Sequence, residues 1–160
     1  PASVRSVGEA VMAADRLLET AKAQADAQVS ERNAREKAEL MRQLGMAEGE
    51  SATKASRTMI RQLEEDQKRR SKRALTDAID RALIDLLAIY RDVLMVQVGG
   101  DGELINTDLA DLVHEIAQDS TPRQTLARVD HIETARKRLV SNGNPLLVLE
   151  DMAISLRPQA

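Results

Sequence analysis

Asp111 and His114 stand three residues apart, which places both on one face of a helix at a spacing that metal ligands use. A metal needs convergent ligands from further elements, and His131 is the only other histidine in a chain without cysteine. No metal site is expected from so few donors. Gly99-Gly100-Asp101-Gly102 offers backbone nitrogens and a carboxylate. It lacks the later, regularly spaced acids of a calcium loop, so it reads as a connector between helices. No GxxxxGK[ST] run or glycine fingerprint after a strand supports phosphate cradling. The serines, histidines and aspartates show no local arrangement that singles out a nucleophile. The chain is expected to carry neither a catalytic site nor a cofactor.

The densest charge is Lys68-Arg69-Arg70-Ser71-Lys72-Arg73, which follows Glu64-Glu65-Asp66. Lys68, Arg69, Arg70, Lys72 and Arg73 are candidate phosphate contacts. On a helix they spread around the circumference, and acids four residues away, such as Glu65 opposite Arg69, can pair with them. The pattern therefore favours a solvated charged surface, and neutralising all five is expected to leave folding intact. Phe and Trp are absent and Tyr90 is the only aromatic, so base stacking has no equipment and any DNA contact would be weak and through phosphate alone. The net charge of −3 gives the whole chain no general attraction for nucleic acid.

These groups have to be positioned by helices, which glycine and proline separate. Val7, Val11, Ala14, Leu18, Ala21 and Ala25 alternate steps of four and three, a heptad seam on a helix from about Val7 to Leu44. The seam is rich in alanine, so little area is buried and the partner helix must dock closely. Its far end, Glu31 to Lys37, is charged and polar and is expected to project into solvent. Gly45 and Gly49 break the pattern, and the stretch between them reads as a loop.

A second long helix is expected from about Ala52 to Val98. No apolar residue occurs between Leu63 and Ala74, so that portion cannot form an apolar core. From Leu75 onward, Ile79, Ala82, Leu83, Leu86, Leu87, Tyr90, Val93 and Leu94 make a wide stripe. A short helix from about Asn106 to Gln118 carries Leu109, Leu112, Val113 and Ile116. Thr121 before Pro122 reads as an N-cap followed by proline at the first helical position. The helix it opens carries Leu126, Val129, Ile132, Ala135, Leu139 and Val140. Ser141-Asn142-Gly143-Asn144-Pro145 joins a helix stop to a helix start: Gly143 is expected to take the left-handed conformation, Asn144 to cap, and Pro145 to begin the last helix. Leu146, Leu149, Met152, Ala153 and Leu156 then close the bundle.

The fold class that follows is all-α: a helical bundle over residues 74–160, preceded by a long charged helical hairpin over residues 1–73. At 42% hydrophobic residues, 160 positions suffice for a core, built from aliphatic side chains that suit close helix packing. The absence of cysteine excludes disulfides, thiolate zinc sites and cysteine nucleophiles, and fits a reducing compartment. No apolar run reaches the roughly 20 residues that span a bilayer, so no membrane partner is expected. A first residue that is not Met points to a piece of a longer protein.

Leu86-Leu87-Ala88-Ile89-Tyr90-Arg91-Asp92-Val93-Leu94, the Gly-Gly-Asp connector, Asn106, and Val140-Ser141-Asn142-Gly143-Asn144-Pro145-Leu146-Leu147-Val148-Leu149-Glu150-Asp151 together resemble the C-terminal collar domain of bacterial clamp-loader subunits, nearest to the delta-prime type of DNA polymerase III. The resemblance covers residues 75 to 157, and the charged hairpin is similar to an elongated version found in some delta-prime chains of high-GC bacteria. It implies an oligomerisation domain that binds other clamp-loader subunits (delta, tau/gamma) in the bacterial cytoplasm, in a complex that loads the sliding clamp onto primed DNA. ATP binding and the arginine finger would belong to AAA+ modules elsewhere, so those residues have no positions to carry over. The motif candidates that transfer are Tyr90, Arg91, Asn142, Asn144, Pro145 and Glu150. Packing or capping explains most of them; contact with a neighbouring subunit is the competing role for Arg91 and Glu150. Two alternatives stand beside this reading: the collar of the tau/gamma motor subunit, and a free-standing coiled-coil adaptor whose hairpin docks a partner helix.

Overall fold

A computed structural model describes residues 6–45, 53–100 and 102–157. Helix α1 spans Val7–Gln43, α2 Lys54–Gln97, α3 Ala110–Gln118, α4 Pro122–Val140 and α5 Pro145–Ser155, with a short 3₁₀ turn at Thr107–Leu109 before α3. No strand occurs among the described residues, and the fold is an all-α helical bundle in which the two long helices come first along the chain. The expected loop between Gly45 and Gly49 lies outside the described residues apart from Gly45 itself, as does Asp101.

Local chemistry sets the helix ends. Ser6 and Glu9 form a capping box at α1: the Glu9 amide donates to Ser6 Oγ at 3.1 Å, and the Ser6 amide donates to Glu9 Oε2 at 3.1 Å. Thr53 caps α2 by accepting from the Ser56 amide at 3.2 Å. Thr121 caps α4 in a box with Gln124, and Pro122 follows, as the sequence predicts. Helix α2 ends in a Schellman motif. Gly99 adopts φ 66°, its amide donates to Val96 O at 3.2 Å, and the Gly100 amide donates to Met95 O at 3.0 Å.

The chain divides into two compact units, Pro1–Glu19 with Ile79–Ala160, and Thr20–Ala78, whereas the sequence pattern places its boundary at residues 73 and 74. In the larger unit the core is Ile79, Leu83, Val93, Val113, Ile132 and Leu149, each fully buried. Burying each such side chain is worth about 1.5–3 kcal/mol. Ala10, Ala14 and Leu18 of α1 belong to the same unit and are buried.

The seam on α1 keeps Ala14, Leu18, Ala21 and Ala25 of the sequence pattern and departs from it at its start. Ala10 is fully buried while Val7 is about half exposed, and the buried row is Ala10, Ala14, Leu18, Ala21, Ala25 and Val29. Steps of four, four and three follow the 3.6-residue period more closely than a strict heptad does, and alanine at position 10 lets a neighbour approach the backbone. On α4 the buried row is Thr125, Arg128, Ile132, Ala135 and Leu139. Leu126 and Val140, expected in the core, are 51% and 75% exposed. Each lies one position beyond a buried residue, and one helical step turns a side chain by about 100°. On α5, Val148 joins Leu149 and Met152 in the core, and Leu147 is exposed.

In the smaller unit α1 and α2 run antiparallel. Ala25, Val29 and Ala74 form its buried cluster, with Leu75 packed against it. Beyond this cluster the contact becomes polar. Arg70 Nη1 donates to Asn33 Oδ1 at 2.7 Å and to Glu36 Oε2 at 2.8 Å, Gln67 Nε2 donates to Asn33 O at 2.8 Å, and Lys37 reaches Glu64 at 3.3 Å. The charged end of α1 is exposed at Glu31, Arg32, Ala34, Arg35 and Lys37, as the sequence predicts, and is fastened to α2 through Asn33 and Glu36.

Candidate functional site

The first segment that carries the family resemblance is held by a buried aspartate. Asp92 follows Tyr90 and Arg91 on α2 and is fully buried. Its Oδ1 accepts from the Ile105 amide at 3.1 Å and from Arg91 Nη1 at 2.9 Å. Its Oδ2 accepts from the Asn106 amide at 2.8 Å and from Asn106 Nδ2 at 2.9 Å. Burial pushes the Asp92 carboxyl up, but the Asn106 and Ile105 amides, the Asn106 side chain and Arg91 together outweigh it and hold the group below its ordinary value. Asn106 precedes the 3₁₀ turn without capping it, because its side chain is committed to Asp92.

Further along α2, Gln97 makes a second anchor. Its Nε2 donates to Ser120 O at 2.8 Å and to Ser120 Oγ at 3.1 Å, and its Oε1 accepts from Thr125 Oγ1 at 2.9 Å. This satisfies the fully buried Thr125 and holds the α3–α4 connection against the end of α2. Composition and periodicity missed Asp92 and Gln97 as anchors, since each is polar and adjoins an apolar stripe. The signal available was their position in the last turns before Gly99-Gly100.

At the final turn the left-handed residue is Asn142, at φ 63°, and not Gly143. The Asn142 amide donates to Leu139 O at 3.1 Å and the Gly143 amide to Arg138 O at 2.8 Å, a Schellman motif with asparagine in the glycine position. Glycine is needed at 143 for space: a Cβ there would stand 2.8 Å from Arg138 O and 2.9 Å from Val148 Cγ2. Asn144 caps α5, its Oδ1 accepting from the Leu146 and Leu147 amides at 3.0 and 3.3 Å, and Pro145 occupies the first turn. Arg138 pairs with Asp151, joining α4 to α5 across the turn.

Tyr90 is buried; burial pushes its phenol up, against the charge of nearby Arg128. Arg91 is half exposed beside Asp92. Glu150 is half buried and makes no hydrogen bond or ion pair among the described residues. Arg136 forms a two-bond fork with Asp80, at 2.7 and 3.2 Å, and binds Glu133 at 3.2 Å. It ties α4 to α2.

The basic run is not uniform. Arg70 is taken up by Glu36 and Asn33, and Arg69 pairs with Asp66 three residues back. Glu65, expected opposite Arg69, binds Arg61 at 3.2 Å instead. Lys72 also has a partner. Lys68 and Arg73 are exposed. Arg70 bridges the two helices, so neutralising all five cations would also remove its contacts with Asn33 and Glu36. Asp111 and His114 are both exposed on α3, and no group of three potential metal-ligating residues occurs among the described residues.

The family described as DNA polymerase III, delta subunit, C terminal, matches residues 36–157, well over half of the chain. The chain belongs to this family. The match reaches upstream of the bundle into the hairpin, further than the motifs at residues 86–94 and 140–151 alone. A curated relative, DNA polymerase III subunit delta' of Bacillus subtilis (strain 168), is 36% identical over 72 residues, covering 45% of this chain and 22% of the relative. The match thus spans about a fifth of that relative's length. No solved structure matches the chain. Family membership makes this the C-terminal domain of a clamp-loader subunit, and the segments around Asp92 and Asn144 lie within the matched residues. No helix among the described residues is long and apolar enough to cross a membrane.

Proposed function

We infer that this chain is the collar domain through which a delta-prime-type clamp-loader subunit assembles with its sister subunits in the bacterial cytoplasm. It carries no catalysis of its own, and polymerase and ATPase chemistry reside elsewhere in the complex. The observation that carries this reading is the pair Val140 and Leu147, 75% and 62% exposed, on either side of a turn fixed by a Schellman motif, an asparagine cap and a proline. A rigid turn that holds two large aliphatic side chains outward suits a docking surface: the ordering cost is met before the partner arrives. Half-exposed Arg91 and half-buried Glu150 supply polar groups for such a surface.

The adaptor alternative draws less support, because Ala25, Val29 and Ala74 already close the hairpin seam within the chain. In the basic run Arg70 is engaged across the hairpin and Arg69 pairs with Asp66, and with no aromatic beside it any contact with duplex DNA would be weak and through phosphate alone. Size-exclusion chromatography with delta and tau/gamma subunits tests the reading. Co-elution of the chain, lost in a Val140→Glu, Leu147→Glu double variant, is expected. Absence of co-elution together with a self-dimer through the hairpin would overturn it.

A further inference from the structure

Between α4 and the end of α5 lies a cavity of about 330 Å³ whose charged lining is wholly cationic. Arg123 and Arg128 come from α4 and Arg157 follows α5; His131 adds an imidazole, and no carboxylate lines the space. Arg123, Ala127 and His131 recur every four residues, as do Gln124 and Arg128, so one face of α4 supplies this wall. Ala127 also lines the space.

Arg128 is the unusual member. It is 8% exposed and makes no hydrogen bond or ion pair among the described residues. In the same unit Arg91, Arg136 and Arg138 each hold a carboxylate. A guanidinium so enclosed and without an anion is placed to gain charge-assisted hydrogen bonds from a partner that enters the cavity. No buried side-chain nitrogen or oxygen among the described residues lacks a partner, so the Arg128 nitrogens keep their opening to the cavity. Arg123 and Arg157 likewise hold no carboxylate among the described residues; the Arg157 Nε donates to Ile154 O at 3.0 Å, which leaves its terminal nitrogens available. Gln124 turns its oxygen to the Thr121 cap, leaving its amide nitrogen as the donating end.

We propose that this cavity is a binding site for a phosphoryl group, held by the guanidinium forks of Arg123, Arg128 and Arg157 with Gln124 as a further donor. Three guanidinium charges exceed what one carboxylate neutralises and suit a dianion with several oxygens, which accepts planar forks from more than one direction. The positive end of the α4 dipole adds to the same field. The lining contains no aromatic residue, so the site reads the phosphate and not a base. The source is either free phosphate or the terminal phosphate of a nucleotide. The site is independent of the assembly role, because neither Val140 nor Leu147 lines it.

The test titrates the full chain with inorganic phosphate, at constant ionic strength held by chloride, and follows amide correlation spectra and thermal melting. Saturable shifts confined to Gln124–His131 and Ser155–Arg157, with a rise in Tm, are expected. Arg128→Met should weaken binding by about tenfold or more and Arg128→Lys by less. If Arg128→Met fails to fold by circular dichroism, the Arg123→Gln, Arg157→Gln double variant carries the same expectation. Adenosine monophosphate should shift the same amides and adenosine should not. Affinity equal to that of phosphate assigns free phosphate as the source, and tighter binding assigns a nucleotide terminus. The proposal falls if phosphate acts no differently from chloride, if the folded variants bind unchanged, or if a Glu-rich peptide binds the site more tightly than phosphate does.

Discussion

The carboxylate of Asp92 and the amide groups of Asn106 lock the end of α2 to the start of the α3 segment: Asn106 donates to the same oxygen through its backbone at 2.8 Å and its side chain at 2.9 Å. With Ile105 and Arg91 on the other oxygen, both oxygens of a fully buried aspartate are engaged. The charge is held in place by donors that belong to a connection with no regular structure of its own. Arg91 and Asp92 therefore act through this connection, while Tyr90 beside them is buried.

Replacing Asp92 with Asn presents an amide to donors that need an acceptor. Asp92→Asn should destabilise the chain by about 2–3 kcal/mol, read as a fall in the urea midpoint with an unchanged slope. A variant within about 0.5 kcal/mol of the parent would show that the anchor does not matter. The pH dependence has a definite sign. The folded carboxyl lies below its ordinary value, so its stabilising contribution is complete above the ordinary aspartate range and is lost as pH falls through the lower folded value. Asp92→Asn should flatten the acid limb of a stability-against-pH curve.

Glu36 gives a similar sign in the other unit. The Arg70 hydrogen bond, helped by Arg32, brings its carboxyl from 4.5 to about 2. The contribution of the Arg70–Glu36 pair is therefore present above about pH 4.5 and fades as pH falls toward about 2. Arg70→Met should speed amide exchange around Asn33 and Gln67 at neutral pH, while Lys68→Met should not. Equal exchange in both variants would contradict a bridging role for Arg70.

Gly143→Ala would push a Cβ against Arg138 O and Val148 Cγ2. Overpacking of this kind should cost about 1–3 kcal/mol, measured as a drop in Tm. A neutral result would mean that the turn gives way easily, and with it the argument for a rigid surface.

Asn144→Ala removes the acceptor for the Leu146 and Leu147 amides and should cost about 1 kcal/mol, read as a lower urea midpoint. The Val140→Glu, Leu147→Glu pair lies on exposed positions and should change stability by no more than about 0.5 kcal/mol per site, while abolishing co-elution with partner subunits. Loss of folding by the charged pair would place these side chains in the core instead.

Local chemistry alone specifies the all-α class, the order of the helices, the two stop signals at Gly99 and Ser141–Pro145, and the caps at Thr121 and Asn144. Each of these needs only near neighbours in the chain: a hydroxyl or amide side chain near a free amide, a proline without one, and apolar residues at helical spacing. The two motif segments also point to the clamp-loader family, which the match over residues 36–157 supports.

Packing in three dimensions settles the rest, because periodicity reports which residues could be buried and not which neighbour arrives. Asp92 and Gln97 become anchors only when the segments around Asn106 and Ser120 are brought against α2. Arg70 leaves the pool of free cations when α1 places Glu36 and Asn33 opposite it. Thr125 and Arg128 face the core of α4 while Leu126 is turned outward, since one helical step fixes which side chain faces inward. Asn142, the residue after the C-cap of α4, takes the left-handed position, and Gly143 is needed next to it, where Arg138 O and Val148 leave no room for a Cβ.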